Sequence, residues 1–283
     1  MLTVYAPAKI NLVLEVLGKY NDYHQILSIL QTINLYDILN FKLAEEISFK
    51  CSEPSLEHNN LVTAAAMLLK KEAKYDRGVQ IELCKNIPWG VGLGGGSSDA
   101  AATLLTLNEL WGLKLSIPKL VHLAAKLGSD IPFFIYRGTA LVEKKGEKIT
   151  PLPSLYPAWF VLLVPPLPKI HDKTKQLYGK LNASYFTKGQ FVRAALLSLR
   201  QRRTIPPSLI FNVFENVAFD SFPKLNECKK SFEELGASSV HLAGSGPCLF
   251  TLVYEEGEAN KLFSRLRKQG LECYVAFSLP KSS

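Results

Sequence analysis

Pro88-Trp89-Gly90-Val91-Gly92-Leu93-Gly94-Gly95-Gly96-Ser97-Ser98-Asp99 is the stretch on which the reading of this chain turns. Five of its eighteen glycines fall in the seven positions from Gly90 to Gly96, where even scatter would place less than one. Glycines leave backbone N–H groups open to an anion, because no side chain shields them. Upstream, Val79, Ile81 and Leu83 alternate with Gln80, Glu82 and Cys84, the pattern of a half-exposed strand. Downstream, Ala100, Leu104, Leu107 and Trp111 mark one face of a helix predicted over 98–111. Strand, glycine loop and helix N-terminus in that order deliver free amides and a positive dipole end to a phosphate. The plainer alternative is a tight turn capped by Ser97 or Ser98, to which three successive glycines add only backbone entropy.

Two common nucleotide loops do not fit. Gly90, Gly92 and Gly95 satisfy G-x-G-x-x-G, but a dinucleotide fold wants a continuous apolar strand before it and an acidic residue at a strand end about 20 positions on. Here the strand alternates, and Glu109 lies inside the predicted helix. The G-x-x-x-x-G-K-[ST] loop is absent, since no Gly-Lys pair is followed by Ser or Thr.

Working outward, Leu2, Val4 and Ala6 alternate, and a β-rich run resumes over 10–16 before Gly18 and a polar turn from Lys19 to His24. This predicts an antiparallel sheet with one face exposed. Helices are predicted over 61–74, with Asn59-Asn60 at the start, and over 116–128, with a strand over 133–142. Pro151, Pro153 and Pro157 suggest a boundary near residue 153, giving units of 1–153 and 154–283. The second unit reads as strand 159–164, a loop to Lys169, a basic helix 193–203, helix 224–235, strand 239–242, a Gly-Ser-Gly turn, strand 248–254, helix 259–269 and strand 272–277. That order predicts an α+β sandwich of the split βαβ kind.

The 283 residues carry 33 Lys and Arg against 25 Asp and Glu, a net charge of +8, with 47% hydrophobic and 20% charged residues. Such composition excludes a disordered or collagen-like chain. The apolar stretch 158–167 is short and broken by Pro165 and Pro166, so no membrane span is expected. Lys9, Asn11 and Glu15 interrupt any secretory apolar region, which predicts a cytoplasmic protein. Five cysteines without a C-x-x-C pair argue against disulfides and a cysteine zinc site, and His58, His122, His171 and His241 show no ligand spacing. A basic nucleic-acid-binding protein would use the charge and the Arg200-Gln201-Arg202-Arg203 run, but that run is short and the glycine loop would have no task.

Pro7-Ala8-Lys9-Ile10-Asn11-Leu12, the segment from Pro88 to Ser98, and His241-Leu242-Ala243-Gly244-Ser245-Gly246-Pro247 resemble the three ordered motifs of the GHMP small-molecule kinases. Within that family the chain is most similar to the member acting on a cytidine-diphosphate-linked methylerythritol in isoprenoid precursor synthesis. The likeness lies in Ala8 to Leu12, the Asp22-Tyr23-His24 turn, Gly-Leu-Gly-Gly-Gly-Ser-Ser and Gly128-Ser129-Asp130-Ile131-Pro132-Phe133. The resemblance implies a two-domain α+β kinase, with a ribosomal-S5-domain-2-like ATP domain over 1–153 and a ferredoxin-like substrate-side domain over 154–283. It further implies ATP and Mg²⁺ as cofactors, and transfer of a phosphoryl group to an alcohol through a loose, charged transition state.

By motif position, Lys9 is the catalytic lysine and Asp130 the general base. ATP is expected on Pro88, Trp89, Gly90, Val91, Gly92, Leu93, Gly94, Gly95, Gly96, Ser97 and Ser98, with Ser98 also touching the metal. Asn60 and Asn108 match positions near the adenine, and are equally natural as a helix cap and a mid-helix residue. Asn11, Tyr23, His24, Tyr178, Gly244 and Ser245 are the expected substrate contacts, since an aromatic beside an imidazole suits the face and edge of a cytosine. The segment from Pro165 to Asp172 is longer than the family loop, which leaves Lys173-Thr174 without an assigned role. Another family member with a mevalonate, homoserine or sugar substrate is the alternative, and a monomer or weak homodimer is expected.

Overall fold

The computed structural model describes residues 1–21, 23–168 and 172–281. Asp22, Lys169 and His171, named in the sequence reading, lie outside the described residues. Strands β1 (Leu2–Tyr20) and β2 (Tyr23–Ala44) form a long antiparallel hairpin, followed by β3 (Ser48–Cys51), α1 (Leu61–Ala73) and β4 (Gly78–Cys84). The glycine loop leads into α2 (Gly95–Leu110), α3 (Ile117–Leu127) and α4 (Ile131–Tyr136), then β5 (Thr139–Lys144) and β6 (Lys148–Pro151). The sheet runs β3-β4-β2-β1, with β5 pairing the other end of β2 and β6 outside it.

The second half contains β7 (Trp159–Leu163), α5 (Lys173–Lys180), α6 (Gln190–Arg202), β8 (Phe211–Asn212), α7 (Glu215–Ser221), α8 (Pro223–Glu234), β9 (His241–Leu242), β10 (Leu249–Val253), α9 (Glu256–Lys268) and β11 (Cys273–Phe277). Its antiparallel sheet has the order β11-β7-β10-β9, the split βαβ arrangement, while β8 leaves it to pair in parallel with β1 at Val13 and Leu14.

Three readings of the sequence are corrected here. The first sheet is not open on one face along β1, because every residue from Ala6 to Val16 is buried. One core packs helices α1 to α4 on the sheet; a second joins Ala8, Ile10 and Leu12 to Phe160, Leu162 and Phe250 across the proposed division at 153. The polar residues that suggested exposure are internal partners: Glu15, fully buried, accepts from the N–H groups of Phe191 and Val192 at the start of α6.

The strand predicted over 133–142 begins only at Thr139, since 131–136 is helical. Pro132 suits a first helical turn, and Arg137 and Gly138, both at positive φ, end the helix before the strand starts. Helix α2 starts at Gly95 rather than at Ser98. Its N-cap is Gly94, at φ 74° and without a side-chain cap bond, so neither serine plays the capping role.

The chain end returns to the first half. Leu279 donates its N–H to Thr32, and Gln31 Nε2 donates to the Leu279 carbonyl. No helix among the described residues is long and apolar enough to cross a membrane.

Candidate active site

The glycine loop is stitched to both halves of the molecule. Lys9 N–H donates to Leu93 O at 2.9 Å, and Cys248 N–H donates to Val91 O at 3.1 Å. Two glycines are required by contact. A Cβ at Gly92 would stand 1.9 Å from Ala243 O, and one at Gly94 would stand 2.9 Å from Phe134 and 3.0 Å from Lys9 Cγ. At φ 97° and 74° both also hold backbone conformations that L side chains rarely adopt. The loop thereby presents Gly95, Gly96 and Ser97, the first-turn residues of α2 whose N–H groups have no partner within the helix, to a cleft of about 1320 Å³.

On the floor of that cleft, the β1 side chains of Lys9 and Asn11 form a fixed pair. Lys9 Nζ donates to Asn11 Oδ1 at 2.6 Å, Asn11 Nδ2 donates to Ser28 Oγ at 3.0 Å, and Ser28 Oγ donates to Val13 O. This chain sets the amide so that its oxygen faces the ammonium. Asp130, at the start of α4, lies 3.7 Å from Lys9 Nζ, with the lysine side chain 5% exposed and the carboxylate 47% exposed. Burial pulls the Lys9 amine below its ordinary value, and the Asp130 carboxylate pulls it back upward. A buried cation beside a solvent-facing carboxylate can hold an anion and accept a proton at adjacent points.

The turn after β9 closes the cleft from the second half. Asn212 Nδ2 donates to both Leu242 O and Gly244 O, fixing Gly244 where an added Cβ would stand 3.1 Å from Lys9 Nζ. Ser245 Oγ lies 2.7 Å from Thr174 Oγ1 on α5. Lys173, on the same helix and 8% exposed, donates to Gly90 O at 3.1 Å.

An aromatic cluster lines the other end. His24 stacks on Tyr178, ring centroids 4.8 Å apart and planes 20° apart; Phe186 and Phe214 meet this pair edge-on. Tyr23 carries the Lys145 ammonium 3.4 Å from its ring centroid. Burial lowers the His24 imidazole, with Lys19 adding to the effect, and burial raises the Tyr178 phenol. Tyr178 and His24 are thus in direct contact, while Tyr23 is partly exposed with Lys145 over one face of its ring.

Most of the residues singled out in the sequence meet at this cleft: Lys9, Asn11, Tyr23, His24, Pro88, Trp89, Gly90, Gly92 to Ser97, Asp130, Tyr178, Gly244 and Ser245 all line it. Four others do not line it. Val91 is turned into the core that joins the halves. Asn60 caps α1, accepting from Val62 N–H and donating to Leu56 O. Asn108 ties the end of α2 to Leu115 through both ends of its amide. Ser98 is buried, and its hydroxyl has no hydrogen-bond partner.

Sequence reasoning missed several groups. Lys145, Phe186 and Phe214 reach the cleft from segments without a motif. Beneath the loop, Lys85 Nζ binds both Asp37 Oδ2 and, at 2.9 Å, Asp99 Oδ2; Asp37 Oδ1 also accepts from the N–H groups of Asn86 and Ile87. Burial lifts the Asp99 carboxyl to about 7 against the pull of Lys85, while Asp99 and Asp37 outweigh burial in raising Lys85. The signal for Lys85 and Asp99 was their closeness to the glycine run; Asp37 had none.

Comparison with known proteins gives a consistent picture. The model of the GHMP kinases N terminal domain matches residues 60–138, and that of the GHMP kinases C terminal matches residues 193–271. A 4-diphosphocytidyl-2-C-methyl-D-erythritol kinase of Dehalococcoides mccartyi is 42% identical over 281 residues, 99% of each chain. One of a Geobacillus species is 38% identical over 272 residues, covering 94% of this chain and 93% of the other. The crystal structure of a 4-(cytidine 5'-diphospho)-2C-methyl-D-erythritol kinase superposes with a TM-score of 0.83 at 32% identity, over 98% of this chain and 99% of that one. A homoserine kinase from Cytophaga hutchinsonii shares the fold, with a TM-score of 0.71 at 19% identity over 99% and 94% of the two chains.

Proposed function

The chain belongs to the GHMP kinase family, and from that membership we propose that it phosphorylates a hydroxyl of 4-diphosphocytidyl-2-C-methyl-D-erythritol with ATP, in isoprenoid precursor synthesis. The observation that carries this reading is the placement of Lys9 and Asp130, 3.7 Å apart, in the cleft that the glycine loop faces. Full-length relatives carrying that enzyme's name support the choice of substrate.

In this reading the α2 N-terminus and loop amides hold the triphosphate. The substrate hydroxyl oxygen attacks the γ-phosphorus, the bond to the bridging β,γ-oxygen breaks, and ADP leaves. Asp130 accepts the hydroxyl proton, and Lys9, held by Asn11, faces the charge on the transferring group. Tyr23, partly exposed and with Lys145 over one face, offers its other face to the cytosine, while the His24–Tyr178 stack walls that end of the cleft.

Mg²⁺ suits the oxygen groups available. No cluster of three or more His, Cys, Asp or Glu residues that could hold a metal occurs among the described residues, and in this reading the ion is carried mainly by the phosphates and water. Ser98, buried beside the cleft-lining Ser97 and with an unpartnered hydroxyl, is the residue that would hold it. Bound there, the ion would neutralise charge on the phosphates. We further read the protein as cytoplasmic, monomeric or weakly dimeric, and without a nucleic-acid partner.

The test is a coupled ADP-release panel. Release with the cytidine-linked alcohol and Mg-ATP, and none with mevalonate, homoserine or galactose, is the expected result. Turnover of one of those three without turnover of the cytidylyl compound would assign the chain to another branch of the family.

A further inference from the structure

Lys173 is the first residue of α5, a helix end whose dipole disfavours a cation. It is 8% exposed, and none of the ion pairs among the described residues includes it. Its ammonium rests on a carbonyl of the glycine loop, Gly90 O, at 3.1 Å. Burial, joined by the charge of Lys9, lowers its amine to about 8, and burial raises the thiol of neighbouring Cys248, which keeps that group uncharged. Lys9 and Lys173 are the two buried cations on a cleft that the exposed Lys19, Lys145 and Lys175 also line; of its carboxylates, Asp130 pairs with Lys9 and the exposed Asp172 is the other. A buried cation without a carboxylate partner is unfavourable unless something else supplies the countercharge.

We propose that Lys173 is a phosphate-binding residue contributed by the second half of the chain, its ammonium moving from Gly90 O to the polyphosphate of the bound nucleotide and forming with Lys9 a clamp across the cleft. This rests on the reading of the cleft as the site of phosphoryl transfer. It also gives a task to the Lys173-Thr174 pair, which the sequence motifs left without one. The glycine loop supplies amides from one side, and Lys173 adds a full positive charge from the other.

The experiment compares wild type, Lys173→Met and Lys173→Gln by thermal unfolding with and without Mg-ATP or Mg-ADP, and by steady-state kinetics. Glutamine keeps a donor for Gly90 O and removes the charge. Both variants should unfold, unliganded, at or above the wild-type temperature, lose most of the nucleotide-induced rise, and bind Mg-ATP ~10–100-fold more weakly. Lys173→Arg should recover much of that affinity. Wild-type affinity for Mg-ATP in the glutamine variant would overturn the proposal. So would a methionine variant that loses unliganded stability yet keeps its nucleotide-induced rise, because Lys173 would then be a structural latch. Failure of the substrate reading is separable: wild type would then bind Mg-ATP in a Lys173-dependent way and leave the cytidylyl alcohol unphosphorylated.

Discussion

Gly92→Ala is the perturbation whose effect the fold defines most closely. The new methyl would stand 1.9 Å from Ala243 O, 3.0 Å from Ala243 C and 3.1 Å from Gly246 N. All three are backbone atoms, so no side chain can swing aside. Restoring an ordinary carbon–oxygen contact needs a separation of roughly 1.5 Å or more between the loop and the turn after β9. The positive φ of residue 92 costs an alanine ~1–2 kcal/mol. Separation also breaks the Cys248-to-Val91 hydrogen bond, worth ~1 kcal/mol. Together these give about 2–3 kcal/mol, a melting temperature lower by about 4–12 °C for a chain of this size. Because Gly244 is held against Lys9 on the same turn, the displacement reaches Lys9, and in the proposed reaction ~1 Å there can cost about 10²-fold in rate. Thermal unfolding and ADP release on the same preparation test both halves. An alanine variant with wild-type melting temperature and turnover would refute the claim that this contact sets the site.

Asp130→Asn should reduce kcat by ~10²–10⁴-fold while substrate affinity is largely kept, as expected of a proton acceptor; near-full activity would remove it from that role. The same variant deletes the charge that pulls the Lys9 amine upward, so the Lys9 Nζ midpoint followed by NMR should move to lower pH, and an upward shift would contradict the pairing. Tyr23→Ala should raise KM for the cytidylyl substrate more than for ATP, and equal losses would argue against stacking. Asp99→Asn tests the buried triad. Because the folded Asp99 pKa lies above the unfolded value, its contribution to stability declines as pH rises from about 4 to 7. The asparagine variant should therefore gain on wild type in melting temperature across that interval, and a constant difference would show that Asp99 does not titrate there.

The site was more legible than its scaffold because phosphate chemistry concentrates rare residue types in short runs. Glycines that can tolerate Ala243 O or Lys9 against their α-carbons cannot be disguised, so the loop and the turn around Gly244 stood out. Lys9 and Asn11 were found through their motif, but their burial was not, since a polar residue in alternation normally signals solvent. Here the polar side chains bond to one another and the sheet is covered on both faces. The Ile131–Tyr136 helix was hidden by its β-rich apolar residues, all buried or half-buried, with no amphipathic period to betray it. Asp37 pairs with a lysine 48 positions away, a relation that only the β2–β4 pairing creates.

The complete burial of β1 from Ala6 to Val16 has a consequence for how the protein is made. Val13 and Leu14 leave the ribosome well before their β8 partners Phe211 and Asn212, which follow only after almost 200 further residues have been added. At 5–20 residues per second that interval is roughly 10–40 s. Through it an apolar strand that the finished enzyme never exposes remains short of one neighbour. The nascent chain, more than the folded enzyme, is therefore where a chaperone or a competing strand would meet this sequence.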